Sequence, residues 1–186
     1  MSHLNLDIPL LNNILVPQSF RAIFSTTLHN ISPSLLPLIE HPNSSVLDSL
    51  PSSAVTVSIP SDFWYNVSSI SAILCRFTEL EELEIGDNSL QTITEFHLRN
   101  MDRLRVIEIG KNSMTKSVNK GGYDASCSFQ LVHCPSIEEI SIGDYSFSDY
   151  ASVEIRNCSN LVSIELGQMV FCYAVDTIME GACLII

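Results

Sequence analysis

One eleven-residue stretch, LEELEIGDNSL at residues 80–90, has a near copy, LRVIEIGKNSM, at residues 104–114. Two further stretches, IEEISIGDYSF (137–147) and LVSIELGQMVF (161–171), follow the same pattern. Aligned on their glycines, the four stretches recur at equal intervals, except that the middle interval contains a nine-residue insertion. The aligned glycines are Gly86, Gly110, Gly143 and Gly167. A pattern that recurs at a fixed period indicates one structural unit repeated along the chain.

A second element lies between these stretches. It reads ITEFHLRNMDRL (93–104), SFQLVHCPSI (128–137) and YASVEIRNCSNL (150–161), with Met101, Cys134 or Cys158 at the equivalent inward position. Apolar residues alternate with polar ones in both elements, which places the apolar side chains on one face of a strand. Each period therefore predicts two short strands around an apolar interior, and the next coil must stack on it to cover that interior.

The repeat defines three regions. Residues 50–172 are predicted to form a solenoid of about five coils, with an insertion near residues 115–127. Residues 1–49 are apolar and nearly uncharged, and they form an N-terminal cap or a separate targeting or dimerising appendage. Residues 173–186 are a degenerate tail that folds back on the last coil, or the chain is a piece of a longer array. The repeated glycines indicate either a turn with positive φ or a close approach of neighbouring backbones.

The composition excludes several functional classes. The 186-residue chain has a formal net charge of −12, so an anionic nucleic acid or membrane surface would repel it. No apolar run reaches the roughly 18 residues of a membrane span, and no secretory signal is visible. We therefore expect a cytoplasmic protein whose six cysteines are free thiols.

Motifs for catalysis or metal binding are missing from the sequence. The five histidines lack HxxxH and HExxH spacing, no GxSxG or CxxC occurs, and Cys134 and Cys158 lie at core positions. The sequence therefore predicts no catalytic residue, no metal site and no cofactor.

These residues resemble leucine-rich repeat proteins, and in particular the BspA-like class of bacteria and protists. RNCSNLVSIELG (156–167) and HCPSIEEISIGDYSF (133–147) carry the resemblance. It implies a leucine-rich repeat solenoid, mainly β, with two short parallel strands per coil and few helices; a helical N-terminal cap fits the same architecture. It also implies protein–protein interaction, often at a cell surface, without catalysis.

The outward face of the first predicted sheet is the candidate binding surface. Alternation places five carboxylates on it, which we expect to form an acidic strip that binds a basic protein partner. The five residues are Glu82, Glu84, Glu108, Glu139 and Glu165. The alternative for the strip is a solvated face that keeps the protein soluble. The alternative for the function is a structural or cell-surface module for assembly or adhesion, which associates with itself through its apolar ends.

Overall fold

The computed structural model describes Leu47 and residues 50–64, 67–116 and 123–180. Almost all regular structure in this part of the chain is parallel β-strand, arranged in two sheets that enclose one apolar core. The first sheet contains β1 (Thr56–Ile59), β2 (Glu82–Ile85), β4 (Val106–Ile109), β6 (Glu139–Ile142) and β8 (Ser163–Leu166). The second contains β3 (Glu95–Arg99), β5 (Asp124–Val132), β7 (Tyr150–Arg156) and β9 (Asp176–Glu180).

Consecutive coils pair in register, as the repeat predicts. In the first sheet, Leu83 pairs with Ile107 and Ile85 pairs with Ile109, and the same register continues through all five strands. The inward residues of β1, β2, β4 and β6 are all buried. A parallel β-solenoid of about five turns is therefore confirmed, because equivalent apolar residues form columns through a common interior.

The first coil departs from the expected strand. Where later coils have a second-sheet strand, residues Ser71–Leu74 form a single helical turn, α1. Leu74 and Phe77 are buried as the repeat predicts, but Ala72 is exposed, so its predicted inward position is wrong. The helical period differs from the strand period of two, so alternate residues no longer share one face.

The repeated glycines mark close contact between backbones. A Cβ atom added to Gly143 would lie 2.7 Å from the Gly110 carbonyl carbon and 2.8 Å from the Lys111 nitrogen. The Gly143 N–H also donates a 2.7 Å hydrogen bond to the carbonyl of Ile109 in the preceding coil. The structure therefore supports a close approach of neighbouring backbones, rather than a turn with positive φ, as the reason for these glycines.

Buried serines connect the same corners. The Ser113 hydroxyl donates to the Gly86 carbonyl at 2.7 Å and accepts from the Ser89 N–H at 3.1 Å. The Ser113 N–H donates in turn to the Ser146 hydroxyl at 3.0 Å. These bonds satisfy backbone groups that the turn leaves unpaired inside the protein, where an unpaired group costs about 1–3 kcal/mol.

The end of the insertion coincides with an irregular strand pairing. Strand β5 begins at Asp124, inside the segment that the sequence predicts as a loop, and a register shift lies between Asp124 and Ser128. Tyr150, at the start of β7, is fully buried, and its hydroxyl donates a 2.9 Å hydrogen bond to the Ile93 carbonyl, 57 residues earlier. Tyr150 thus joins the coils on either side of the insertion.

The two ends of the solenoid differ. At the first coil Leu47 and Leu50 are buried, and the Arg76 guanidinium donates to both of their carbonyls. The rest of the predicted cap, residues 1–46 and 48–49, lies outside the described residues. At the other end, β9 forms within the predicted degenerate tail and pairs with β7, so the second sheet continues past residue 172.

The glycine corners predict a specific loss of stability. Replacing Gly143 with alanine forces two backbones apart, and we expect the free energy of unfolding to fall by about 1–3 kcal/mol. Chemical denaturation measures this change. Ser141→Ala, at an exposed position on the same strand, is the control and should change stability by less than about 0.5 kcal/mol. Equal stability of the two variants would contradict the close-contact explanation.

Candidate functional site

The five predicted glutamates all lie exposed on the outer face of the first sheet. They occupy the two outward positions of each four-residue strand. One column across the sheet reads Thr56, Glu82, Val106, Glu139 and Ser163. The other column reads Ser58, Glu84, Glu108, Ser141 and Glu165. We call these ten residues the acidic face.

Carboxylates alternate with uncharged residues over most of the acidic face. Only Glu84 and Glu108 are direct partners in the register, at the strand spacing of about 4.8 Å. Val106 separates Glu82 from Glu139, and Ser141 separates Glu108 from Glu165. The arrangement is therefore a dispersed negative surface with one close pair, and that pair weakens the sheet mildly because like charges face each other.

Cations flank the acidic face without neutralising it. At the amino ends of the strands Arg105 pairs with Glu138, with Nη2 and Oε2 2.9 Å apart. At the carboxyl ends the Lys111 ammonium lies 3.1 Å from Asp144. The hydrogen bond between Arg105 and Glu138 raises the pKa of Arg105 and lowers that of Glu138. The pKa of Asp144 is lowered first by the Gln168 backbone N–H and then by Lys111.

The remaining described cations are also engaged. Arg103 pairs with Glu79 at 2.7 Å, Lys116 with Asp124 at 2.8 Å, and Arg156 with Glu180 at 3.2 Å. The other two form hydrogen bonds: Arg99 donates to the Gln130 side chain, and Arg76 donates to the carbonyls of Leu47 and Leu50. Among the described residues, none of the five glutamates forms an ion pair.

The second sheet presents a mixed surface. Its outward residues include the cations Arg99 and Arg156, the neutral side chains His97 and Gln130, and the carboxylates Glu95, Glu154, Asp176 and Glu180. His97 Nε2 lies 2.7 Å from the Ser128 hydroxyl, and partial burial lowers the pKa of the imidazole. Arg156 pairs with Glu154 and with Glu180, so the carboxylates of this face are partly neutralised within the face itself.

An open groove at one corner was missed by sequence reasoning. It has a volume of about 560 Å³ and is lined by Asn100, Asp102, His133, Pro135, Asn157 and Ser159. Three of these residues, Asn100, His133 and Asn157, have φ of 56° at equivalent turns after β3, β5 and β7. The sequence did contain a signal for these turns, because an Asn or His precedes each inward Met or Cys. Asparagine and histidine adopt a positive φ more readily than most residues. Within the groove, the Asn157 side-chain nitrogen lies 3.3 Å from His133 Nε2.

The buried thiols are unsuited to nucleophilic chemistry. Burial raises the pKa of Cys127 and of Cys134 to about 12, and it also raises the pKa of Cys158. At neutral pH these side chains are neutral thiols, whereas the thiolate is the nucleophile. In the part of the chain that the structure describes, no group of three or more His, Cys, Asp or Glu side chains is placed to hold a metal ion.

The geometry defines the chain as a parallel β-solenoid with one charged and one mixed sheet face. No family model, curated protein or solved structure matches the chain. Among the described residues, no helix has both the length and the apolar character needed to cross a bilayer.

Thiol reactivity tests this description of the interior. We expect Cys127, Cys134 and Cys158 to react with iodoacetamide near pH 8 at least about tenfold more slowly than exposed Cys172, because each is a buried neutral thiol. Mass spectrometry of the digested protein measures each site separately. Denaturant should remove the difference. Rapid labelling of Cys134 in the folded protein would contradict the assigned core.

Proposed function

We propose that the chain is a leucine-rich repeat solenoid of the BspA-like type that binds another protein through the acidic face and catalyses no reaction. One observation carries the proposal: none of the five exposed glutamates forms an ion pair among the described residues, while every described Arg and Lys is bonded to another group. Arg105, which pairs with Glu138, also attracts Glu82 at longer range. A surface with unneutralised charge attracts a partner of opposite charge. The partner is therefore a protein with an exposed lysine- or arginine-rich segment.

The rigidity of the sheet supports this function. Each glutamate projects from a strand whose neighbours hold it in register, so the carboxylates are arranged before a partner arrives. Preorganisation lowers the entropy cost of association. Five strands at about 4.8 Å span roughly 24 Å, and a face about 20 Å wide offers on the order of 500 Å². A standard interface uses about 800 Å² per partner, so binding by this face alone is weak and depends on salt.

Charge removal on the acidic face tests the proposal. The triple variant Glu84→Gln, Glu108→Gln, Glu165→Gln should bind a fluorescent lysine- and arginine-rich peptide roughly tenfold or more weakly than the native chain. Fluorescence anisotropy at about 50 and about 200 mM salt measures the affinity, and the native interaction should weaken at the higher salt.

The matched control removes the same charge elsewhere. Glu95→Gln, Asp102→Asn, Asp176→Asn neutralises three exposed carboxylates that lie outside the acidic face. This control should retain most of the affinity. If both triple variants lose affinity equally, net charge alone governs binding and the face has no special role. If neither variant loses affinity, the proposal is wrong.

Assembly is the second candidate function, and the last coil favours it. Leu166 occupies an inward register position but is 48% exposed, whereas the equivalent Ile142 is buried. Met169 is exposed beside it. Apolar residues left uncovered at the end of a solenoid form a surface on which another coil or another molecule can pack.

Self-association provides the measurement for assembly. If the exposed apolar residues of the last coil drive self-association, the native chain should sediment as larger species as its concentration rises. The double variant Leu166→Ser, Met169→Ser should then shift the distribution to monomer. The control, Val55→Ser with Trp64→Ser, alters exposed apolar residues of the first coil and should leave self-association unchanged. A native chain that stays monomeric at high concentration would remove this candidate.

A further inference from the structure

The open groove at the end of the second-sheet strands crosses three consecutive coils. Its lining residues are all exposed and stand in two columns, which follow from the strand register. One column contains Asn100, His133 and Asn157, and the other contains Asp102, Pro135 and Ser159. The groove therefore extends along the direction in which the coils stack.

The backbone on one side of the groove is held in place. The N–H groups of Asn100, His133 and Asn157 each donate a hydrogen bond of 3.0–3.1 Å to a carbonyl of the next coil. All three residues have the same φ of 56°. The groove is thus formed before a ligand arrives, which lowers the entropy cost of binding.

Several polar groups in the groove have no partner within the described part of the protein. The side chains of Asn100, Asp102 and Ser159 form neither a hydrogen bond nor an ion pair with a described residue. The Asn157 side-chain nitrogen lies 3.3 Å from His133 Nε2, which leaves the Asn157 side-chain oxygen available as an acceptor. The groove therefore offers both donors and acceptors of hydrogen bonds to a ligand.

The chemistry of the lining narrows the class of ligand. The six residues include no arginine or lysine, so a phosphate or carboxylate ligand lacks a cation to pair with. Pro135 is the only apolar side chain among them, which is too little for a hydrophobic ligand. A neutral ligand with many hydroxyl groups fits best, because each hydroxyl both donates and accepts. Carbohydrates are ligands of this kind.

The spacing of the coils favours an extended glycan over an extended peptide. Equivalent groove residues recur at the strand spacing of about 4.8 Å. This spacing is close to the length that one hexose adds to a straight β-1,4-linked chain. An extended peptide places side chains on the same side only every two residues, at about 6.6 Å, and so falls out of step with the coils.

We propose that this groove binds a short stretch of a neutral, extended glycan. Asp102 and Asn100 accept hydrogen bonds from sugar hydroxyls at one end, and Ser159 bonds to the chain at the other. Pro135, between them, supplies a flat apolar surface for the face of a sugar ring. The volume of about 560 Å³ lies within the usual range of small-ligand sites, about 300–1,000 Å³. This site is separate from the acidic face and independent of what that face binds.

NMR spectra of the full ¹⁵N-labelled chain test the proposal with cellotriose, a neutral β-1,4-linked glucose trimer. Titration should give saturable shifts in the amide signals of Asp102, His133 and Ser159, while signals of the acidic face stay unchanged. We expect a dissociation constant on the order of 1 mM, because one side of the sugar remains in water. Maltotriose, the α-1,4-linked trimer of the same sugar, curves away from a straight groove and should bind at least about fivefold more weakly.

Variants of the free carboxylate locate the site. Asp102→Ala removes an acceptor and should weaken cellotriose binding at least about tenfold. Asp102→Asn removes the charge but keeps an acceptor oxygen, so its affinity should stay within about threefold of the native value. Asp176→Ala is the matched control, since it removes an exposed carboxylate of the second sheet outside the groove. It should bind cellotriose as the native chain does.

Three results would overturn the proposal. The first is no saturable shift of the groove signals at about 20 mM cellotriose. The second is equal affinity of Asp102→Ala and Asp176→Ala. The third is a groove that prefers cations, shown by equal losses in Asp102→Asn and Asp102→Ala or by stronger groove shifts with a lysine-rich peptide. If Asp102→Ala fails to fold, Ser159→Arg decides, because its long side chain should fill the groove and abolish binding.

Discussion

Close contact between consecutive backbones at the end of each first-sheet strand is the constraint on which the rest of the structure depends. There the N–H of one glycine bonds to the preceding coil at 2.7–2.8 Å, and no space remains for a Cβ atom. A coil held at this distance cannot slip by one residue, which would exchange inward and outward side chains. The fixed register therefore buries Leu83, Ile107 and Ile140 in one column and presents the glutamates beside them to solvent.

The sequence predicts the first sheet well because both periodicities agree there. A period of two marks the inward residues, and the longer repeat period aligns them between coils. The helical turn at Ser71–Leu74 was missed because its apolar residues suit either structure at this length. Strand β9 was missed for a different reason. Its inward residues are Thr177 and Met179, a weak apolar signal, and only pairing with β7 reveals the strand.

The acidic face was predictable in position but less so in its electrostatics. Alternation along a strand is enough to place Glu84 and Glu108 outward and side by side. The sequence does not show that Arg105 reaches Glu138, 33 residues away, or that Lys111 reaches Asp144. These pairs depend on side-chain conformations between coils, and they decide which carboxylates stay unneutralised.

Fold and function are separable in this architecture, since stability resides in the interior and the outward positions contribute little to it. Glutamates dispersed anywhere on the surface would keep the protein soluble. Setting Glu84 against Glu108 in the register adds a repulsive pair to the sheet without adding solubility. A positively charged group bound between them would convert that repulsion into two attractions. In the free chain only water and dissolved ions screen this repulsion, whereas under the proposed binding function a cationic group of the partner would offset it directly.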